Sequence, residues 1–295
     1  MFFRRRLAPA LLVFALIAPA LAAKAEPALW RLESGDSVVH FLGTIHLLKK
    51  DTPWFSPELR ALVERADTLT LEILIDEVNP MEVQQAMVEL GYYPPGESLA
   101  DHLPEPLLTR VMAEAQKAGL PTQAVARMKP WLVGVTLTSQ LAAQAGYLSE
   151  YGVESALLDV ARDSNTDLRQ LETMQQQLQI FAGLSDEAQI AWLRDGLDEF
   201  ADLESYVEQL KTAWIEGDTE AVGAMLTEGL DTSPQLAETL LYARNRDWVA
   251  RIESLLKEPG RHLVAVGAGH LVGETSLIDL LRERGHAAER VKVGE

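Results

Sequence analysis

The chain has 295 residues, 47% of them hydrophobic and 24% charged, which supplies a folded core and shows no signature of disorder. Its 44 acidic side chains outnumber 26 basic ones, and a formal net charge of −18 argues against any electrostatic hold on nucleic-acid phosphates. Cysteine is absent, so a thiol nucleophile, a disulfide framework and a lipid-anchored export signal are excluded.

Residues 1–25 read as an export signal. Arg4-Arg5-Arg6 is the basic start, Leu7 to Leu21 the apolar core, and Ala20-Leu21-Ala22 or Ala23-Lys24-Ala25 the small-residue cleavage site. A retained anchor is the alternative, but the apolar run is short for a bilayer span and contains Pro9 and Pro19. Cleavage removes Arg4, Arg5, Arg6 and Lys24 and no acidic residue, leaving 22 basic against 44 acidic side chains, a balance of −22. No later stretch is long and apolar enough to span a bilayer, so the expected destination is periplasmic or secreted.

From there the pattern alternates strand and helix. Ala28–Ser34 and Ser37–Leu42 read as strands joined by the hairpin signal Gly35-Asp36. Ser56-Pro57 opens a helix whose Leu59, Leu62, Val63 and Ala66 share one face, and Thr68–Ile73 follows as a strand. Strand, helix, strand in that order implies a parallel βαβ unit. Asn79 to about Asp163 reads as helical, broken at Pro94-Pro95-Gly96, Gly119-Leu120-Pro121 and Lys129-Pro130. Asp167–Leu171 reads as a strand and residues 185–229 as an acidic helical excursion. Ser233-Pro234 starts a long helix to about Lys257, which Pro259-Gly260 stops. Leu263–Val266, a helix over Thr275–Arg284 and a strand over Glu289–Val293 complete the chain. The expected fold is α/β: one mixed, largely parallel sheet built from the N- and C-terminal segments, with a long helical insertion over roughly 79–257. Residues 26–295 are expected to form one compound domain.

Two stretches share a pattern. Val38-Val39-His40-Phe41-Leu42-Gly43-Thr44-Ile45-His46-Leu47 and Leu263-Val264-Ala265-Val266-Gly267-Ala268-Gly269-His270-Leu271 each run apolar strand, Gly, two residues, His, Leu. Such a His emerges just past the C-terminal end of a strand, the edge where open α/β sheets bind ligands. A structural role for each His is the alternative, and the repeated context favours a shared site. His40 lies inside its strand, and His102, His262 and His286 sit in loop-like surroundings, so none of these is given a role. Glu72 ends a strand expected to be buried, where a carboxylate is costly unless paired or bound to metal; an edge-strand Glu facing solvent is the alternative. Two histidines and a carboxylate suit a divalent transition metal such as Mn, Co or Zn, with His46, Glu72 and His270 as the ligands. On the helix from Ser233, at 100° per residue, Arg244 falls near 80° and Asn245 near 180° of an apolar arc of about 40° to 220°. Both need partners there; a structural salt bridge and a role at a substrate oxyanion or site carboxylate remain open. Gly267-Ala268-Gly269-His270-Leu271-Val272-Gly273 has the wrong spacing for a dinucleotide fingerprint, and no βα units follow it.

With Leu29-Trp30 before the first motif and Gly273 after the second, the chain resembles the TraB/GumN family, which includes Wnt-cleaving metal-dependent proteases and is distantly similar to erythromycin-esterase and ChaN-like folds. The resemblance runs from about Leu29 to Val293. It implies a functional Glu72 and a role for Glu172 as general base or as partner of a metal-bound His. It also implies a catalytic use for Arg244 and Asn245. Lys129-Pro130-Trp131 and Gly152-Val153-Glu154 resemble further family landmarks; the family often carries Asp at the position of Glu154, which is therefore kept out of the ligand set. The expectation is an exported metal-dependent hydrolase, with a peptide or protein substrate implied by the resemblance alone. The alternatives are a metal-free esterase using His46 as base and a non-catalytic binder of haem or peptide.

Overall fold

The computed structural model describes residues 26–75, 78–199, 202–228 and 234–294. The expected export signal and the Ser233 cap lie outside these. The first hairpin, β1 (Leu29–Ser34) and β2 (Ser37–Thr44), turns on Gly35-Asp36. Gly35 takes φ +58°, which only glycine adopts without strain, and Ser34 pairs with Ser37 across the turn. Helix α1 (Pro57–Glu64) starts where the sequence places it: Ser56 Oγ accepts from Leu59 N at 3.1 Å, with Pro57 at the first helical position. The chain returns through β3 (Thr68–Leu71), all four residues of which are buried.

The helical region comprises α2 (Pro80–Gly91), α3 (Glu105–Lys117), α4 (Thr122–Val125), α5 (Pro130–Gln144) and α6 (Val153–Asp163). An edge strand, β4 (Asp167–Gln170), interrupts it before α7 (Met174–Ala182), α8 (Asp186–Glu199), α9 (Leu203–Ile215) and α10 (Thr219–Glu228). The helix expected to run unbroken to Lys257 is in fact α11 (Pro234–Ala237), a π-helical turn over Glu238–Tyr242, and α12 (Ala243–Leu255). Such turns gather at functional positions; here the Leu240 carbonyl inside the turn accepts Arg244 Nη1 at 2.9 Å. The chain ends with β5 (Gly260–Gly267), α13 (Leu277–Glu283) and β6 (Glu289–Val291). His262, expected in a loop, lies on β5 at 2% exposure, between Thr68 Oγ1 at 2.9 Å and the Glu258 carbonyl at 3.0 Å. Its polar flanks, Gly260-Arg261, hide the start of the strand from a hydropathy reading.

The six strands form one sheet in the order β4-β3-β5-β2-β1-β6. β4, β3, β5 and β2 are parallel, and β1 and β6 are antiparallel to their neighbours. The fold is α/β, and β5 fills the slot that the β2–α1–β3 crossover leaves open. Thr44 pairs with Gly267 and Leu71 with Ala265, so β2, β5 and β3 end together at one edge. One apolar core packs both faces of the sheet, with Phe41, Leu42, Val264 and Val266 at 0% exposure; a second gathers Leu99, Val111, Trp131 and Leu193 among α3, α5 and α8. Among the described residues, no helix is long and apolar enough to cross a membrane.

The sheet edge depends on close backbone approach. A Cβ on Gly152 would lie 2.2 Å from the carbonyl oxygen of His46, and backbone cannot yield as a flexible side chain does. Gly152→Ala should therefore destabilise by about 1–3 kcal/mol, as overpacking does. Gly196→Ala in α8, where a Cβ meets nothing within 4 Å, should be neutral or stabilising. Thermal melts of the two variants test this: a Gly152→Ala melt matching the wild type would contradict the packing described.

Candidate active site

β2 delivers His46 two residues past its end. The Ile45 carbonyl accepts Val153 N at 3.1 Å, which fixes this turn against the start of α6. Glu154, in the first turn of α6, then meets the imidazole: His46 Nδ1 lies 2.6 Å from Glu154 Oε1, and the Thr44 hydroxyl donates to the same oxygen. A helix N-terminus favours a carboxylate there. The Glu154 charge, with the hydrogen bond between the two side chains, raises the His46 pKa to about 9. The His46 side chain is 63% exposed, so with Nδ1 occupied its Nε2 faces open space.

His270 is held differently. It ends a 3-10 turn (Ala268–His270) after β5 and is 3% exposed. Its Nδ1 lies 2.6 Å from Asn245 Oδ1, and Asn245 Nδ2 donates to the Thr275 carbonyl at 2.9 Å. That second bond orients the amide, so the hydrogen-bond network assigns the proton to His270 Nδ1 and the lone pair to Nε2. Burial lowers the His270 pKa to about 3, keeping the ring neutral. Trp248 packs on it at 4.5 Å between ring centroids.

Glu72, one residue past β3, and Glu172, just past β4, are 7% and 6% exposed. Arg244 joins them. Its Nη2 lies 2.5 Å from Glu72 Oε2 and 2.6 Å from Glu172 Oε1, and its Nε donates to Glu172 Oε2 at 3.2 Å. Nη1 donates to His270 Nε2 at 3.1 Å, and the guanidinium stacks on Trp248 at 4.6 Å. Burial alone would raise the Glu72 carboxyl; the positive groups around it and the Gly267 N–H, at 2.7 Å from Oε1, hold it at about 2. For Glu172 burial prevails and the pKa is raised despite Arg244. Gln177 Nε2, on α7, reaches both carboxylates, Glu172 at 3.2 Å and Glu72 at 3.4 Å.

These side chains converge over Gly267. The position a Cβ would occupy there is 3.1 Å from Glu72 Oε1, 3.6 Å from His46 Nε2 and 3.6 Å from His270 Cδ2. The donors suit a divalent ion in kind, two imidazoles, each with Nδ1 bonded to an oxygen behind it, and one carboxylate oxygen, provided His46 gives up the proton that Glu154 favours. Their present spacing is another matter. Among the described residues no three His, Cys, Asp or Glu side chains stand close enough together to hold a metal. Arg244 bonds both Glu72 and the His270 lone pair. Glu172 contacts neither histidine; its carboxylate is spanned by Arg244. Two clefts meet at the site, one of about 640 Å³ and one of about 470 Å³, and both are lined by His46, Glu72 and Gln177.

Sequence reasoning placed His46, Glu72, Glu172, Arg244, Asn245 and His270, and the structure brings all six to one place. It set Glu154 aside, although that residue is the hydrogen-bond partner of His46; the signal was an acidic residue in the first turn after Gly152. Gln177 and Trp248 carried no signal, since one is a Gln among three in Gln175-Gln176-Gln177 and the other reads as core.

The two histidines predict opposite pH dependences. His46 has a folded pKa above the ordinary 6.5, so its contribution to stability is complete below pH 6.5 and is lost as pH rises through about 9. His270 has a folded pKa below 6.5, so its contribution is complete above pH 6.5 and is lost as pH falls toward 3. Melting temperatures between pH 5 and 9.5 should therefore fall on both sides of neutrality. His46→Gln should flatten the alkaline fall and His270→Gln the acid one; unchanged slopes in both variants would contradict these environments.

The chain is 25% identical over 248 residues to the uncharacterized protein YbaP of Escherichia coli (strain K12), covering 84% of this chain and 89% of that one. It is 24% identical over 281 residues to an uncharacterized protein of Treponema pallidum (strain Nichols), covering 90% and 83%. A 62-residue stretch, 20% of this chain and 12% of the other, is 37% identical to the metalloprotease TIKI homolog of Amphimedon queenslandica. No solved structure matches. The model of the TraB/PrgY/gumN family matches residues 28–290, nearly all of the described chain, and the protein belongs to that family.

Proposed function

We propose that this protein is an exported metal-dependent hydrolase acting as a peptidase on peptide or protein substrates. The observation that carries the reading is the convergence over Gly267 of His46 Nε2, Glu72 Oε1 and the His270 ring, each imidazole backed through Nδ1 by a second side chain. His46, Glu72 and His270 would hold the ion, which when bound supplies carbonyl polarisation and an acidified water. In the reaction, water oxygen adds to the carbonyl carbon, the C–N bond breaks, and the departing amine takes a proton. Glu172, with its pKa raised by burial, suits the proton carrier, and Arg244 suits stabilisation of negative charge on the carbonyl oxygen. Asn245 fixes the His270 tautomer and so keeps Nε2 a lone-pair donor. The peptidase assignment and export draw on the short TIKI-homolog likeness and on the signal expected in residues 1–25.

One feature favours a second reading. Arg244 is already a cation at Glu72, and His46 with Glu154 is an imidazole–carboxylate pair, so metal-free hydrolysis needs no added ion, with His46 free to act as base above about pH 9, where its ring is neutral. Metal binding separates the two. Under the first reading, His46→Ala and His270→Ala each abolish the melting shift induced by Mn²⁺, Co²⁺ or Zn²⁺ and also abolish turnover, and the double variant is little worse, because residues acting through one site are not additive. Arg244→Ala leaves two buried carboxylates unpaired, which costs about 3–5 kcal/mol without metal, and the metal-induced shift should exceed that of the wild type. Calorimetric titration with the three metals, thermal melts and peptide hydrolysis read these outcomes. Equal metal-induced shifts in wild type and both single His variants would exclude a shared metal site.

A further inference from the structure

The two clefts that meet at the site are chemically unlike, and they are separated only by the residues they share. The narrower one is walled by half-buried apolar side chains from four helical segments: Ile180 and Phe181 of α7, Leu210 of α9, Leu226 of α10 and Leu241 of the π turn. Leu226 and Leu241 close over Gly269, beside His270: a Cβ on Gly269 would lie 3.4 Å from Leu226 Cδ1 and 3.7 Å from Leu241 Cδ2. The charged groups there are Arg244, bonded to Glu72 and Glu172, Glu72 itself, and His46, paired with Glu154. The wider cleft is also lined by apolar side chains, Leu71, Ile73, Ile75, Leu158 and Met174, but it adds the hydroxyls of Ser139, Ser149 and Ser155 and the carboxylates of Glu150 and Glu154. Among the described residues no Lys or Arg lines it.

We propose that the substrate crosses the site as an extended chain, with a bulky apolar residue on one side of the reacting bond and a polar or cationic residue on the other. The inference deepens the hydrolase reading and rests on it. A ligand with a single apolar tail would fill only the narrower cleft. A reactive centre at the junction of two clefts instead suits a substrate that continues in both directions from the bond. Apolar side chains released from water into the narrower cleft favour binding there. Across the junction, the exposed Glu150 attracts Lys or Arg and repels Asp or Glu, Glu154 being already paired with His46.

The test has two arms. Fluorescently labelled decapeptides, identical except for Leu or Ala on one side of a fixed centre and Arg or Glu on the other, are titrated by anisotropy into the full-length protein without added metal. The Leu/Arg peptide should bind at least about tenfold tighter than the Ala/Arg and Leu/Glu peptides. Leu226→Asp should remove the Leu preference, and Glu150→Lys, an exposed change that spares the core, should remove or invert the Arg preference. In parallel, a random decapeptide mixture is digested with Mn²⁺ or Co²⁺ present, and the cut positions are mapped by mass spectrometry; cuts should show an apolar residue on one side only. Equal binding of all peptides, preferences that survive both variants, or competition by a fatty acid as effective as the peptide would overturn the inference. Cleavage without a one-sided preference overturns it while leaving the hydrolase reading in place. Selective binding without cleavage under any metal supports the groove and overturns that reading.

Discussion

Arg244 is the cation that lets two buried carboxylates, Glu72 and Glu172, share the edge of one sheet. Without it both would face heavy desolvation, and the ends of β3 and β4 would repel each other. A guanidinium can serve both carboxylates because it is planar, always charged, and presents several donors at fixed angles. It binds Glu172 through Nε and Nη2, reaches Glu72 through Nη2 and still offers Nη1 to His270. Its own position is set from behind by the Leu240 carbonyl and from the side by the Trp248 ring. The π turn before α12 thus has a local use, since it is the segment whose carbonyl receives the Arg244 side chain.

Topology explains why these groups meet at all. The β2–α1–β3 crossover leaves a strand-wide gap that β5, arriving almost two hundred residues later, fills. Three parallel strands then end together, carrying His46, Glu72 and His270 in turn, and Gly267 at the centre keeps the space among them clear. Helices from the insertion bring what the sheet lacks: Glu154 for His46, Gln177 over the carboxylates, and Arg244 with Asn245 for Glu72 and His270. The walls of the flanking clefts come from the same helical region, so the sheet supplies the central side chains and the insertion supplies their surroundings.

Much of this is written locally. The twin Gly-x-x-His stretches announce themselves because a buried strand ended by Gly has a period and a stop, and the next polar residue must leave the sheet at its edge. Arg244-Asn245 is legible because two polar residues on the apolar arc of a helix demand partners, and the structure supplies Glu72, Glu172, His270 and Thr275. What escaped is long-range or breaks the local rule. Glu154 pairs with His46 across more than a hundred residues, and although Gly152-Val153-Glu154 marks the position, nothing local names its partner. The π turn alters helical phase without changing hydropathy, and His262 hides in a strand whose first residues are polar. Residue type marks His46, Glu72 and His270 as metal donors, but among the described residues no three such side chains stand close enough to hold an ion, and Arg244 bonds both Glu72 and His270.

The central proposal is that His46, Glu72 and His270 form one site for a divalent ion, for which Arg244 would have to release His270. Anomalous diffraction from crystals grown with Co²⁺ tests it most directly. The account predicts one strong Co²⁺ peak within about 2.0–2.3 Å of His46 Nε2, His270 Nε2 and a Glu72 oxygen, with Arg244 no longer bonded to His270. A site empty of Co²⁺ at saturating concentration, with Arg244 still bonded to His270 Nε2 and Glu72, would contradict it.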